Sequence, residues 1–550
     1  MLGLMMDAPL RIPDILEHAA KYYPKTEIVS RNEDSTLHRY GYADAARRAR
    51  QLAKALSRMG LERGDRIATL AWNNHRHFEL YYAVPGAGLV CHTVNPRLFP
   101  EQLVFILNDA QDRYLFSDVA FARLVAGVAP YAKSLRGIVF NCDRDHMPKD
   151  LPDGLPPVLC YEDLIDAEDD DFEWPVLDER TASGMCYTSG TTGNPKGVLY
   201  SHRSTVLHAM AVNQPGLFGI APDETVLPVV PMFHVNAWCV PYAAALVGAR
   251  LVLPGPRLDG PGLLEVIHGE KVTIGAGVPT IWLNLVNYAD QAGQSVAPMN
   301  RVVVGGAACP QTLIERLAAH KALAVHAWGM TETSPLGAVS VLSAEQQYLP
   351  EAEKMKLMLK QGRAPFGIEM RIAGPDGKEL PWDGVARGDL EVRGPWIASG
   401  YFNNTDRSQF TGDGWFKTGD ISTIDADGFM NIVDRSKDVI KSGGEWISSI
   451  ELENLAMGHP SVLEAAVIAR ADSRWSERPR YIIVLREGKM LTGPELRAFI
   501  APHVATWWIP EDMIIVTELP HGATGKVLKV DLRARYGAEN HPDAIRLSDQ

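Results

Sequence analysis

The sequence predicts an α/β protein: a large N-terminal domain of two stacked α/β subdomains plus a small β subdomain, followed by a small α+β C-terminal domain. Three observations carry this. Strand-like and helix-like segments alternate through the first three-quarters of the 550 residues, the pattern of parallel sheets covered by helices. After about residue 365 the texture changes to short runs of antiparallel type. A short, fully polar stretch, Asp434-Arg435-Ser436-Lys437-Asp438, then sets off a compact final segment.

The elements follow in order. Residues 44–59 carry apolar side chains at helical spacing and stop at Gly60; 66–71 (RIATLA) reads as a buried strand, 75–84 as a helix and 89–94 as a second strand. The pattern returns with short β-rich runs at 226–230, 250–253, 272–276, 301–304 and 323–327, separated by helical stretches such as 263–268 and 311–320. Two such series, before and after about residue 180, give the two stacked subdomains. Residues 388–393, 421–424 and 430–433 alternate, with Asp427-Gly428 as the turn between the last two. Beyond the boundary, Ser448 and Ser449 open a helix over 450–457, 463–468 and 481–485 read as strands, and 494–500 is helical.

Composition excludes several classes. The hydrophobic fraction of 46% and charged fraction of 22% are those of a soluble globular chain. Fifty-four basic against 67 acidic residues leave a net charge of -13, with no long Lys/Arg run, so nucleic-acid binding is not expected. The six scattered cysteines form no CxxC pair, which argues against a zinc cluster and for buried thiols. No signal peptide and no membrane-spanning window are visible, and a cytoplasmic enzyme is the expectation.

The most informative stretch is YTSGTTGNPKGV at 187–198. A Gly-rich turn lets successive N–H groups converge on an anion, while hydroxyls and a lysine add donors. The expectation is a phosphate-cradling loop, although the spacing is not that of a Walker A motif.

This stretch resembles the signature loop of the adenylate-forming superfamily of acyl-CoA synthetases, adenylation domains and luciferases. Further motifs of that superfamily follow in order: WGMTE at 328–332, WFKTGD at 415–420, DRSKD at 434–438 with KSGGE at 441–445, and ATGK at 523–526. The likeness spans roughly residues 10–535. It implies ATP, Mg²⁺ and CoA as reactants or cofactors, a small-molecule carboxylic acid as substrate and a homodimeric assembly. It also implies domains at 1–434 and 438–550 around a hinge at 435–437, with Lys437 at its centre and a mobile C-terminal part.

By this resemblance Thr188, Ser189, Gly190, Thr191, Thr192 and Lys196 hold the ATP phosphates. Thr191 and Glu332 are the metal residues, and Thr331 contacts the α-phosphate. Adenine is expected beside Gly305, Gly306 and Ala307, with Trp328, Gly329 and Met330 completing the pocket. Asp420 accepts the ribose hydroxyls, a task suited to a carboxylate, and Arg435 donates to the same sugar. Lys526 is the catalytic cation of adenylation: an ammonium between acid and α-phosphate cancels charge that builds in the transition state. Gly522 stands where the superfamily commonly has Thr. Thioester formation removes Lys526 and brings in Gly443, Gly444 and Glu445, whose glycines would admit the pantetheine arm.

His234, in PMFHVNAW at 231–238, matches a residue lying beside the substrate carboxylate; relatives that activate amino acids carry Asp there. Read by itself, a histidine after an apolar run is a core residue. Trp238, with Gly305, Trp328 and Gly329, is expected to bound the acyl pocket and to favour a small acid, or else simply to fill core. Within the superfamily the chain is most similar to medium-chain acyl-CoA synthetases of the 3-methylmercaptopropionate–CoA ligase type. The alternatives are a general medium-chain fatty acyl-CoA synthetase, an adenylation module loading a carrier protein, a luciferase-like oxygenase, and an ATP-sensing protein without turnover.

Overall fold

The computed structural model describes residues 1, 3–188, 194–442, 445–522 and 527–548, with the backbone alone at Glu445. The chain divides into two compact units. The first comprises Met1–Met358, Gly362–Glu369 and Arg393–Phe410; the second comprises Leu359–Gln361, Met370–Val392 and Thr411–Gln550. The small β subdomain thus groups with the C-terminal segment, and the expected hinge at 435–437 lies inside the second unit.

The first unit holds two sheets. In the seven-stranded one, Val158–Cys160, Gly137–Phe140, Tyr114–Ser117, Arg66–Leu70, Val90–Thr93 and β1 (Ala182–Tyr187) run parallel, and β2 (Gly197–Ser201) closes the edge antiparallel to β1. In the eight-stranded one, the parallel centre is Glu27–Arg31, Arg250–Leu253, Thr225–Pro228, Ile274–Gly277, β3 (Arg301–Val304) and β4 (Leu323–Gly329). Leu37–Gly41 and β5 (Leu336–Ser340) are its antiparallel edges. One hydrophobic cluster joins them, drawing Ile67 and Cys91 from the first sheet and Ile28, Leu251 and Val303 from the second, with Phe78, Tyr81 and Tyr82 of an intervening helix, His75–Gly86.

The division at about residue 180 is crossed twice. The N-terminal strand Glu27–Arg31 joins the later sheet, with Ile28 opposite Leu251. The strand β1, beyond residue 180, joins the earlier one, with His92 opposite Met185. Apolar periodicity marks a strand as buried but does not name its neighbour.

In the second unit, a four-stranded sheet is ordered Glu369–Ala373, Gly388–Arg393, β6 (Phe416–Ile424) and β7 (Met430–Arg435). A six-stranded sheet is built around the ladder of β8 (Val462–Asp472) and β9 (Ser476–Leu485), with β10 (Asp512–Val516) parallel to β9. Its strands alternate strictly. Val467, Tyr481, Ile483 and Met513 face a core with helix α1 (Ser449–Met457). Ala466, Ile468, Ile482 and Ile514 face the opposite core with Leu532 of α2 (Lys529–Tyr536). Period-2 side chains with both faces covered make this six-stranded sheet the middle of three layers.

Among the described residues, all six cysteines are buried and none is in a disulfide. No helix is long and apolar enough to cross a membrane.

Candidate active site

The signature loop leaves the sheet at the β1 end and returns on β2. Its stem is closed by Thr188 N–H donating to the Lys196 carbonyl at 2.9 Å and Lys196 N–H donating to Thr188 Oγ1 at 3.2 Å. Ser189, Gly190, Thr191 and Thr192 lie outside the described residues, as do Gly443, Gly444 and Lys526; of Glu445 only the backbone is described.

Thr331 and Glu332 sit in a single 3-10 turn, Thr331–Thr333, just after β4, and both are buried. The turn is tied back to β2 by Tyr200, whose hydroxyl donates to the Thr331 carbonyl at 2.8 Å. The Glu332 carboxylate is 5% exposed and accepts from Tyr401 OH at 2.7 Å. The Lys196 ammonium lies 4.9 Å from the centre of the Tyr401 ring and donates to Gln409 Oε1 at 3.1 Å. Thr188, Lys196, Thr331 and Glu332 are therefore brought together. Tyr401, Gln409 and Tyr200 join them without any sequence expectation, because nothing in the local composition of GYFNN marks its tyrosine as a partner of residue 332.

The chemistry of this donor set fits magnesium. Among the described residues no group of three or more His, Cys, Asp or Glu side chains could cage a metal ion. A single buried carboxylate that shares Tyr401 with the Lys196 ammonium suits Mg²⁺, which takes one or two carboxylates and completes its octahedron with phosphate oxygens and water.

A second cluster lies at the end of β3. Gly305 and Gly306 press on Trp238: a β-carbon on Gly305 would sit 3.2 Å from the indole and 3.0 Å from the Ala327 carbonyl, and one on Gly306 would sit 3.9 Å from the same ring. Gly306 also has a positive φ of 82°, so this position requires glycine. The Trp328 ring rests on Gly337, where a β-carbon would come within 2.2 Å of it, and Gly329 approaches the Pro335 carbonyl as closely as only a glycine can.

Trp238 reaches Gly305 from an unusual backbone. Val235, Asn236, Ala237, Trp238 and Cys239, immediately after His234, all have φ between 44° and 66°. Left-handed geometry costs roughly 1–2 kcal/mol per non-glycine residue. The chain just before it is anchored by Asn73. Asn73 donates to the Pro228 and Val230 carbonyls at 2.8 and 2.9 Å and accepts from Met232 N–H at 2.6 Å. The Trp238 ring is buried. His234 is partly exposed at the start of this turn.

The second unit carries the remaining candidates. Asp420 on β6 faces Arg435 on β7 in register, and Arg435 Nε donates to Asp420 Oδ1 at 2.8 Å. Asp420 is 2% exposed. The two residues expected at one sugar are thus neighbours, placed by antiparallel pairing. Lys437 follows on an exposed turn in which Asp438 and Val439 N–H groups bond the Arg435 carbonyl. On either side of residues 523–526, His521 bridges Val527 and Leu528 N–H donates to the Pro520 carbonyl at 2.8 Å. Three residues on, Lys529 donates to Ser449 Oγ at 2.6 Å and Glu453 Oε1 at 2.7 Å. Burial opposes the Lys529 charge, but Glu453 and Asp434 outweigh it and hold its pKa above the ordinary lysine value.

The sequence profile of the AMP-binding enzyme family matches residues 16–402, and that of the AMP-binding enzyme C-terminal domain matches 451–526. The chain belongs to the AMP-binding enzyme family. The sequence expectations of an AMP-forming acyl-CoA ligase and of its α/β fold are borne out. Among relatives of this AMP-binding enzyme, a 3-methylmercaptopropionyl-CoA ligase of Ruegeria lacuscaerulensis is 50% identical over 98% of this chain and 99% of its own. A medium-chain-fatty-acid–CoA ligase of Ectopseudomonas oleovorans is 47% identical over 98% of each chain. The fold matches that of an anthranilate CoA ligase in complex with anthranoyl-AMP, with a TM-score of 0.84 at 24% identity, over 96% of this chain and 98% of that one.

Proposed function

We propose that this ligase activates a short- to medium-chain carboxylic acid, with 3-methylmercaptopropionate foremost. The carboxylate attacks the α-phosphorus of Mg·ATP to give acyl-adenylate and pyrophosphate, and the CoA thiol then displaces AMP. Thr188, the 189–192 loop and Lys196 bind phosphate, Glu332 meets Mg²⁺, and Asp420 with Arg435 holds the ribose. Mg²⁺ offsets charge on the phosphate oxygens when bound. Lys526 supplies the cation of the first half-reaction, and the loop 443–445 attends the second after a turn at Lys437.

The observation that carries the choice of acid is the Trp238 indole packed against Gly305, whose bulk would shorten an acyl channel there. Relatives named for methylmercaptopropionate and for medium-chain acids support the same range. A thioether acid is nearly isosteric with a short fatty acid, and one methylene changes discrimination by about 1–3 kcal/mol. Butyrate and pentanoate are therefore expected to compete.

The test is AMP formation with CoA across C2–C12 acids and 3-methylmercaptopropionate. The expected optimum lies at C4–C6 and the thioether acid; a C10–C12 optimum would refute the reading. Replacing Trp238 with Ala is expected to raise kcat/KM for octanoate relative to butyrate about tenfold, the scale of one to two methylenes. An unchanged ratio would assign Trp238 to core packing alone.

A further inference from the structure

The segment 398–402 bridges the two halves of the phosphate cluster. Ala398 N–H donates to the Glu332 carbonyl at 2.8 Å, and Phe402 N–H donates to the Gly197 carbonyl at 2.8 Å. Its ends are thus bonded to the turn that carries the metal-binding carboxylate and to the strand that receives the signature loop. Between them, Tyr401 makes a third bridge through its side chain: the hydroxyl to Glu332 Oε1, and the ring face beneath the Lys196 ammonium.

We propose that Tyr401 is a positioning residue that couples metal binding to phosphate binding in the adenylation reaction. Its hydroxyl is a single donor, and it occupies one oxygen of a nearly buried carboxylate. That fixes the rotation of the Glu332 side chain and so the direction from which its charge meets a cation. A phenol is protonated throughout the working pH range, so it stays a donor. The ring, by attraction between its electron-rich face and an ammonium, holds Lys196, whose backbone closes the loop stem on Thr188. One side chain thereby keeps the carboxylate and the ammonium in a single array. The proposal rests on the reading that Glu332 meets the magnesium of Mg·ATP.

The test uses isothermal calorimetry of ATP binding to the full-length protein at a series of Mg²⁺ concentrations, with Y401F, Y401L and E332Q. Y401F keeps the ring and removes only the hydroxyl. It is expected to raise the Mg²⁺ concentration for half-maximal binding about tenfold, the scale of one hydrogen bond to a charged group, while binding of ATP without Mg²⁺ stays as in the wild type. Y401L, which also strips the face beneath Lys196, is expected to weaken ATP binding without Mg²⁺ as well, by about three- to tenfold. An Mg²⁺ dependence in Y401F equal to the wild type, with E332Q shifted, would overturn the proposal and leave the Glu332 reading intact. An unshifted E332Q would overturn that reading first.

Discussion

Replacing Lys526 with Ala is expected to slow acyl-adenylate formation about 10²–10³-fold, while thioester formation from supplied acyl-adenylate and CoA stays within a few-fold of the wild type. The attacking carboxylate and the α-phosphate are both anionic, and their approach concentrates negative charge that neither ground state carries. A preorganised ammonium at that point stabilises the transition state more than the bound substrates, and so lowers the barrier rather than KM. The flanking residues are held by the His521–Val527 bridge and by the Lys529 ammonium on Ser449 and Glu453, and the substitution touches none of these contacts. Pyrophosphate release measures the first half-reaction, and AMP release from synthetic acyl-adenylate measures the second. Equal loss in both would refute the assignment of Lys526 to adenylation alone.

Replacing Arg480 with Ala is expected to destabilise the second unit by about 3–5 kcal/mol, the cost of stranding one member of a buried ion pair. The guanidinium is fully buried on β9. It grips Asp512 of β10 through two bonds of 2.6 and 2.9 Å. It also donates to the carbonyls of Tyr536, Ala538 and Glu539, at 2.6, 2.8 and 3.1 Å. One side chain thus ties the chain beyond α2 to the central strands. Its loss leaves three carbonyls without their donor and the buried Asp512 carboxylate with a longer ion pair to Arg470 at 3.6 Å. Thermal or urea unfolding followed by tryptophan fluorescence reads the effect. The apolar pair Arg480→Met with Asp512→Leu should recover much of the stability, because neither charge is then left alone. A single variant as stable as the wild type would show that water replaces the arginine.

Much of this architecture is legible in the sequence, for local reasons. The strands and helices of the core announce themselves by period, and the Asp427-Gly428 turn pairs β6 with β7. A one-residue register shift between Ile421 and Ser422, which the sequence does not announce, is what sets Asp420 opposite Arg435 rather than Asp434. What stays hidden is non-local or conformational. The crossing of the N-terminal strand into the far sheet is set by tertiary packing rather than by its residues. Tyr401 belongs with Glu332 across 69 positions, a distance that composition does not register. The left-handed run at 235–239 contradicts the preferences of Val, Ala and Trp, as strained segments at functional sites often do. Gly305, from elsewhere in the chain, leaves room for the indole that this run presents.

The pairing of Ile28 with Leu251 has a consequence for biosynthesis. A nascent chain leaves the ribosome at about 5–20 residues per second, so the strand Glu27–Arg31 emerges on the order of ten to forty seconds before its parallel partner exists. Throughout that interval its backbone edge on that side has no native partner, and unpaired edges invite transient contacts with other strands. Fusing the first forty residues behind the C-terminus would reverse the timing, and the wait would vanish.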